Sequence, residues 1–439
     1  MPSTTNDTPV QNTADVIAKS PTILKDRIDA VNRLGVTGER LMIAMYFSGL
    51  DSRLLISPPG TSNVLAVKCS GTQGTGKSLP LYKCLYLYPD SEYILISNAS
   101  PKSIYHDKKS YKHKALILAE AAPLYMNNTK DSELAYIIRS MISEGKTRYM
   151  FTDKDDNGQM IVRDRIIEGP TSFITTTIYD KLESQLEDRM FTVHSDESTR
   201  QTWEIIYAQA AIEAGDVETL AETDAEAWKS FHSTLNPVNV TIPYSKKIIP
   251  ERDKELPAAA RRGYKRLWTM IKTITCLYQH QRPKDARGFL IADVADYHMA
   301  WQIVQDALNE SVGKMNKTNE NMLFFIIKKG VVRHQDLKET FGLSASTTTT
   351  KIQALEKEGH VMWCDIYGHR FDNEADLKSA KACGAAFIRV SETFINSQSG
   401  IQLPSTYDVT GNSDWSEGGT LYRLYDLELN KRHVFNKAR

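Results

Sequence analysis

Eight consecutive residues, Gly71, Thr72, Gln73, Gly74, Thr75, Gly76, Lys77 and Ser78, read G-x-x-x-x-G-K-[ST] without a mismatch. The chemistry such a run serves is the binding of a polyphosphate. Glycines let backbone N–H groups converge on an anion, and the start of a following helix adds partial positive charge. The lysine reaches the β- and γ-phosphates, and the hydroxyl after it holds Mg²⁺. ATP and Mg²⁺ are therefore the expected ligands, with Ser78 as the metal contact. The plain alternative is a glycine turn beside an incidental Lys-Ser pair. The flanks argue against it. Val64, Leu65, Ala66 and Val67 form an apolar run before the loop, and 79–88 is helix-compatible. Strand, loop and helix in that order are what the motif requires.

Three further places could act on a bound phosphate. Glu120 closes the apolar run Ala115, Leu116, Ile117, Leu118, Ala119. An acid at the carboxyl end of a central parallel strand sits where such sheets bind ligands, and it can orient an attacking water. Buried strands often end in Glu, so the run is a weak sign taken alone. Thr176 and Thr177 end the expected strand 172–177 and could sense a γ-phosphate; the β-propensity of threonine accounts for them equally well. Arg189 stands immediately before another expected strand. An arginine reaching in from a neighbouring subunit stabilises transferring phosphate charge, although a single arginine is more often a surface ion-pair partner.

Elements must hold these residues, and the chain supplies them in order. At 439 residues it is long enough for two to three domains. Net charge is zero, so any basic surface is local. Five cysteines, at 69, 84, 276, 364 and 383, are scattered without a C-x-x-C pair, the usage of a reducing compartment and not of a zinc site or disulfide framework. No apolar run reaches membrane-spanning length, and a cytoplasmic protein is expected. Residues 1–13 read as a disordered tail and 14–50 as two helices, over 14–34 and 38–50. Expected strands cover 93–97 and 115–120, with a helix over 131–143. Asn157-Gly158 between the alternating runs 147–152 and 159–167 predicts a β-hairpin. Lys154, Arg148, Arg163 and Arg165 decorate it. Helix is expected over 198–235 and 258–280, and over 290–308 with Asp293 and Asp296 facing solvent.

Together these residues resemble the AAA+ ATPases, and within them the minichromosome-maintenance-like replicative helicases of bacterial mobile elements and phages. The motif order over 36–304 carries the likeness: the phosphate loop, Leu118-Ala119-Glu120, Ser143-Glu144-Gly145-Lys146, the hairpin, 169–177, then Leu186-Glu187-Asp188-Arg189-Met190-Phe191. The resemblance implies an α/β fold, with a parallel-sheet core over 51–235 and a helical lid over 236–310. It makes Thr176 or Thr177 the γ-phosphate sensor, Arg189 the arginine finger, and Arg261 or Arg262 the lid's sensor arginine. A solvated basic helix start explains the last pair as well. The hairpin becomes a pore-lining loop with Lys154 near its tip. Two departures stand out. Ala119 occupies the place of the metal-holding Asp, and no primase or zinc-ribbon segment is present, so a separate primase or replication initiator is an expected partner.

Residues 311–320 read as a linker, and 321–371 resembles a winged helix-turn-helix: helix, short glycine turn, helix, strand. Ser346, Thr347 and Lys351 are its expected DNA contacts, although winged helices also serve as protein contacts. Residues 372–439 form an extension without a readable role. The expected activity is ATP-driven translocation on DNA by a homo-hexameric ring. The rival is an AAA+ DNA-binding switch, a loader or a transposition or replication regulator that does not unwind. A binding module with an inactive nucleotide fold is the third reading.

Overall fold

Among the described residues, runs rich in apolar and β-branched side chains form seven strands in the first half of the chain. They are β1 (Ala66–Ser70), β2 (Tyr93–Ile96), β3 (Lys114–Leu118), β4 (Lys146–Lys154), β5 (Met160–Glu168), β6 (Thr171–Thr177) and β7 (Phe191–His194). Five of them make one sheet in the order β2-β3-β6-β1-β7, with every neighbouring pair parallel. β4 and β5 stand apart as an antiparallel hairpin. The structure, a computed structural model, describes residues 9–97, 103–106, 109–121, 124, 133–154, 157–178, 182, 184–216, 220–250, 260–312, 317–357, 360–371, 373–391 and 403–429. The chain forms two compact units, one of residues 1–307 with 403–439 and one of 308–402.

Helices that begin before residue 308 include α1 (Pro9–Lys19), α2 (Ile23–Arg33), α3 (Arg40–Asp51), α4 (Ser78–Tyr86), α5 (Ser103–His106), α6 (Glu133–Glu144), α7 (Ser184–Glu187), α8 (Thr199–Glu213), α9 (Glu222–Ser233), α10 (Ser245–Ile248), α11 (Ala260–Leu277) and α12 (Val294–Val312). α3 is largely apolar on all sides, and such a helix belongs inside. It lies so close to the sheet that a Cβ at Gly49 would come within 3.0 Å of the Ile174 side chain. On the other face, Leu134, Ile137, Ile138 and Met141 of α6 join Leu116, Leu118 and Phe173 of the sheet in one apolar core. β8 (Val240–Thr241) and β9 (Leu290–Ile291) form a short parallel pair.

Several expected boundaries move. The helix expected over 14–34 is two, because Pro21 interrupts it, and Asp26 receives the hydroxyls of Ser20 and Thr22 at the start of α2. The tail expected over 1–13 does not hold from Pro9 onward, where α1 begins with proline in the first helical turn, its missing N–H costing nothing there; residues 1–8 lie outside the described residues. Helix over 198–235 divides at Gly215, whose φ of 74° ends α8. Asp296 does not face solvent. It is buried and accepts hydrogen bonds from Arg282, Thr275 and the Asp293 N–H.

The second unit contains α13 (Lys317–Lys329), β10 (Val331–Arg333), α14 (His334–Phe341), α15 (Ala345–Lys357), β11 (Val361–Cys364), α16 (Glu374–Ala382) and β12 (Phe387–Val390). Its sheet is antiparallel in the order β10-β12-β11. The three helices α13, α14 and α15 close its core around Ile326, Leu337, Ile352 and Ile388. A boundary at 371 does not hold, because β12 is the central strand of this sheet. Nor is 311–320 a linker throughout: α12 runs to Val312 and α13 begins at Lys317. Residues 403–429 return to the first unit instead of extending the second. There the Tyr297 hydroxyl donates to the Pro404 carbonyl (2.6 Å), and Arg40 donates from Nε and Nη2 to the Leu427 carbonyl (3.2 and 3.0 Å).

Candidate nucleotide site

β1 ends at Ser70 and α4 begins at Ser78, so residues 71–77 span one strand end and one helix start. Gly74 and Gly76 have φ of 84° and 79°, with nothing within 4 Å of an added Cβ. Glycine is needed there for backbone conformation and not for room. Gly71 is the opposite case: a Cβ would lie 2.0 Å from Ser195 Oγ. Lys77 is nearly buried, and its ammonium folds back into the loop, donating to the carbonyls of Gly71 (2.8 Å) and Thr72 (2.5 Å) and to Thr75 Oγ1 (3.3 Å). From beneath, the Tyr46 hydroxyl donates to the Lys77 carbonyl at 3.1 Å, fixing α4 against α3.

Register brings the other candidates to the same end of the sheet. Ser70 of β1 is paired with Thr177 of β6, and Leu118 of β3 with Thr175. β6 thus ends between the phosphate loop and the Glu120 segment. Thr176 Oγ1 donates to the Ala119 carbonyl, and the Ala121 N–H to the Thr176 carbonyl at 3.0 Å. Thr176 and Thr177 are buried, while Glu120 is exposed just past the strand end. Lys77, Ser78, Glu120, Thr176 and Thr177 therefore share one edge.

A family model described as the MTBMA_p00010 P-loop domain matches residues 10–236. The chain belongs to this P-loop family. No curated protein matches the chain. The matched segment of the P-loop domain runs from α1 to just beyond α9 and includes the loop, Glu120, Thr176, Thr177, the hairpin and Arg189. A P-loop domain on a parallel α/β sheet is the fold of a nucleotide-binding hydrolase. Its loop fits a nucleotide phosphate on direct grounds. Gly74 and Gly76 hold left-handed backbone within the loop, and the Lys77 ammonium rests on neutral acceptors of the same loop that a phosphate would outcompete. Mg²⁺ usually keeps few protein ligands beside substrate phosphates and water. Ser78 at the start of α4 would hold it, Glu120 stands at the end of β3 on the same side of the sheet, and Ala119 adds no carboxylate.

Two contacts of the P-loop, and a third bond beside them, were not foreseen from sequence. Ser195 Oγ donates to Thr75 Oγ1 (3.0 Å), the Thr72 N–H donates to Glu197 Oε1 (2.6 Å), and the Asp196 N–H donates to Glu39 Oε1 (3.0 Å). Burial, with the Asp196 charge adding, pushes the Glu39 carboxyl up to about 7 against the pull of that N–H. The residues that follow β7 line the loop because β7 is parallel to β1 and next to it. That adjacency is a pairing fact with no mark in the local sequence.

The remaining candidates lie elsewhere. Arg189 precedes Phe191, which pairs with Val67, whereas the loop follows Ser70, paired with His194. At about 3.3 Å per residue the length of β7 separates Arg189 from its own phosphate loop. Its Nε donates to Ser143 Oγ at 2.7 Å, and Nη1 donates to the Gln185 carbonyl. Arg262 is not at the loop either. It pairs with Asp188 at 3.0 Å, beside Arg189, and Arg261 is exposed. Arg266 lies one turn further along α11, bonded to the Met190 carbonyl at 2.5 Å and held by burial down at about 10.

The hairpin pairs every residue from Lys146 with Glu168 to Lys154 with Met160, and Gly158 turns at φ 79°. Asp155 and Asp156 lie outside the described residues. Arg148 pairs with Asp164 (2.7 Å) and Arg163 with Asp153 (3.2 Å), while Lys154 is exposed. Arg165 is paired in register with Tyr149 across the strands. Met150, Met160, Val162 and Ile166 are also exposed, and by register they share a face with Arg148, Lys154 and Asp164, so the hairpin surface is mixed and not a basic patch. On α15, Ser346 and Thr347 are exposed with hydroxyls 3.0 and 2.8 Å from Ser344 Oγ, and Lys351 donates to Asn319 at 3.2 Å.

Proposed function

We propose that this P-loop protein is an AAA+ ATPase that assembles head to tail into a homo-hexameric ring in the cytoplasm. In this reading it moves along DNA as a helicase in replication of a mobile element. One observation carries the reading. Lys77, Ser78, Glu120 and Thr176 occupy the carboxyl end of the sheet, whereas Arg189 and the root of the hairpin occupy the amino end. A subunit cannot bring its own arginine to its own phosphate without dismantling β7. A heterologous contact repeated around a ring delivers it from the neighbour. Glu120 then orients the water that attacks the γ-phosphate, Thr176 holds the Glu120 segment, and Arg189 offsets the charge that develops. The α13–β10–α14–α15–β11 order of the second unit supports a winged helix-turn-helix, with Ser346, Thr347 and Lys351 toward DNA. Strand displacement on a forked DNA, measured with ATP and with Lys77→Ala as control, tests the proposal. ATP hydrolysis and ring formation without displacement of either strand would refute the helicase assignment.

The alternative, an AAA+ switch that loads or regulates other proteins on DNA, has its own support. Ala119 removes a metal-holding acid, and Arg148 and Arg163 are engaged with acids of their own hairpin. Such a protein would assemble on DNA with ATP and release on slow hydrolysis, with no unwinding at any protein concentration.

A further inference from the structure

Lys68 sits in the middle of β1, between β6 and β7, with its side chain fully buried. Its ammonium donates to Oε1 of Glu187, a carboxylate that is itself 7 % exposed. Oε2 of the same carboxylate accepts the Leu182 N–H at 2.8 Å, and the Thr192 hydroxyl lies 3.4 Å from Oε1. Glu187 closes α7, and the turn that follows carries Arg189. The N–H groups of Arg189 and Met190 bond to the carbonyls of Leu186 and Glu187 at 2.9 and 3.0 Å. One ion pair thus ties the arginine turn to the strand that runs into the phosphate loop.

The surroundings make that pair an expensive filling. Leu186, Met190, Phe173 and Leu116 belong to the same apolar layer. Removing two charges from water costs more than their attraction returns unless the geometry is good, and apolar side chains of similar volume often replace a buried pair without loss of stability. Stability alone does not explain a lysine and a glutamate here. We propose that Lys68 and Glu187 are positioning residues: their ion pair sets how the Arg189 turn is presented at the far end of the sheet. The inference rests on the proposed role of Arg189 across a subunit boundary. Neither residue belongs to the phosphate loop, and both act through the backbone of 187–190.

The test is the apolar double variant Lys68→Met/Glu187→Leu. It is expected to remain folded, at an unfolding temperature lowered by the Leu182 N–H left without its acceptor, and to keep nucleotide affinity and self-association. Its kcat for ATP hydrolysis should fall at least tenfold with KM unchanged. Mixed with Glu120→Gln, it should regain activity, because its intact loop and Glu120 then meet a correctly presented Arg189 from the other chain. A merely structural defect in the double variant would follow its own loop into the mixture and would not be rescued. If the double variant does not fold, Lys68→Met/Glu187→Gln keeps an acceptor for the Leu182 N–H and is judged by the same readouts. Wild-type kcat in a folded pair variant, or an activity that mixing fails to rescue, overturns the proposal. Arg189→Ala, run alongside, separates the two levels. If it hydrolyses ATP at the wild-type rate, the Arg189 role itself has failed. If it is inactive while the pair variant is fully active, only the positioning role has failed.

Discussion

The Thr176 hydroxyl donates to the carbonyl oxygen of Ala119, so the threonine at the end of β6 holds the residue before Glu120. The Ala121 N–H returns a bond to the Thr176 carbonyl, which closes the segment on both sides of the acid. Thr176→Val keeps the shape and removes the donor. It should cost about 1 kcal/mol of stability, the usual net worth of one such bond. Nucleotide affinity should stay unchanged while kcat falls severalfold, because Glu120 loses its fixed backbone. Denaturant unfolding and steady-state ATPase assays read the two effects, and an unaltered kcat would show that Thr176 serves the strand alone.

Arg189 is separated from its own loop by the length of β7, and its guanidinium bonds to Ser143 and Gln185 of its own chain. Arg189→Ala should therefore bind ATP as the wild type does and hydrolyse it at least a hundredfold more slowly, roughly 2.7 kcal/mol of lost transition-state stabilisation. Mixtures with Glu120→Gln should recover activity through the sites that combine one intact loop with one intact arginine. Co-assembled mixtures no more active than their separate components would exclude a role between subunits.

Glu39 sets a pH dependence. Its carboxyl is raised from 4.5 to about 7, chiefly by burial, so the folded state holds the proton more tightly than the unfolded chain. Its contribution to stability is complete below the unfolded pKa and is lost as pH rises through about 7. Glu39→Gln keeps an acceptor for the Asp196 N–H and removes the titration. The variant should gain on the wild type in urea midpoint between pH 5 and pH 8. An equal difference at both pH values would mean that Glu39 does not titrate in this window.

The phosphate loop was legible because its chemistry demands fixed residue types at fixed spacing, and the strand ends carrying Glu120 and Thr176 followed from apolar runs. What stayed hidden depends on pairings between distant segments. Nothing near Thr72 announces Glu197, and a lysine between Val67 and Cys69 does not declare a buried partner at Glu187. Arg262 looked like a lid sensor because sequence supplies a helix without the neighbour that its face meets; that neighbour is Asp188. Asp296 misled for a related reason. Its position near a helix start suited solvent, and the burial follows from Arg282, which arrives from the preceding turn.

The return of 403–429 to the first unit changes what a shortened chain should do. A protein ending near residue 316 loses the Leu427 carbonyl that accepts two bonds from buried Arg40, and the Thr406 hydroxyl 2.9 Å from His298 Nδ1. Buried polar groups left without partners cost about 1–3 kcal/mol each, more when charged. That truncation should unfold at lower denaturant and lose ATPase activity with its fold. Replacing 313–402 with a flexible linker, which keeps 403–429, should preserve hydrolysis and weaken DNA binding. If the simple truncation is as stable as the full chain, the tail's bonds contribute nothing to the first unit.

Lys154 decides between a DNA-tracking hairpin and one built for another purpose. Arg148 and Arg163 already face Asp164 and Asp153, so neutralising a phosphate with either would first break an ion pair on the hairpin. Lys154 is exposed beside the turn, with Met160 opposite it in register. If the hairpin tracks DNA, each Lys154 meets one phosphate irrespective of sequence. Lys154→Ala should then leave ATP affinity intact and abolish strand displacement. It should also flatten the salt dependence of DNA binding by about one phosphate for each substituted subunit on the strand. The exposed apolar residues beside Lys154 supply the opposing outcome. If Lys154→Ala unwinds a fork at the wild-type rate, while Met150→Ser or Val162→Ser disrupts self-association, the hairpin is a contact between protein surfaces. The switch reading then displaces the helicase.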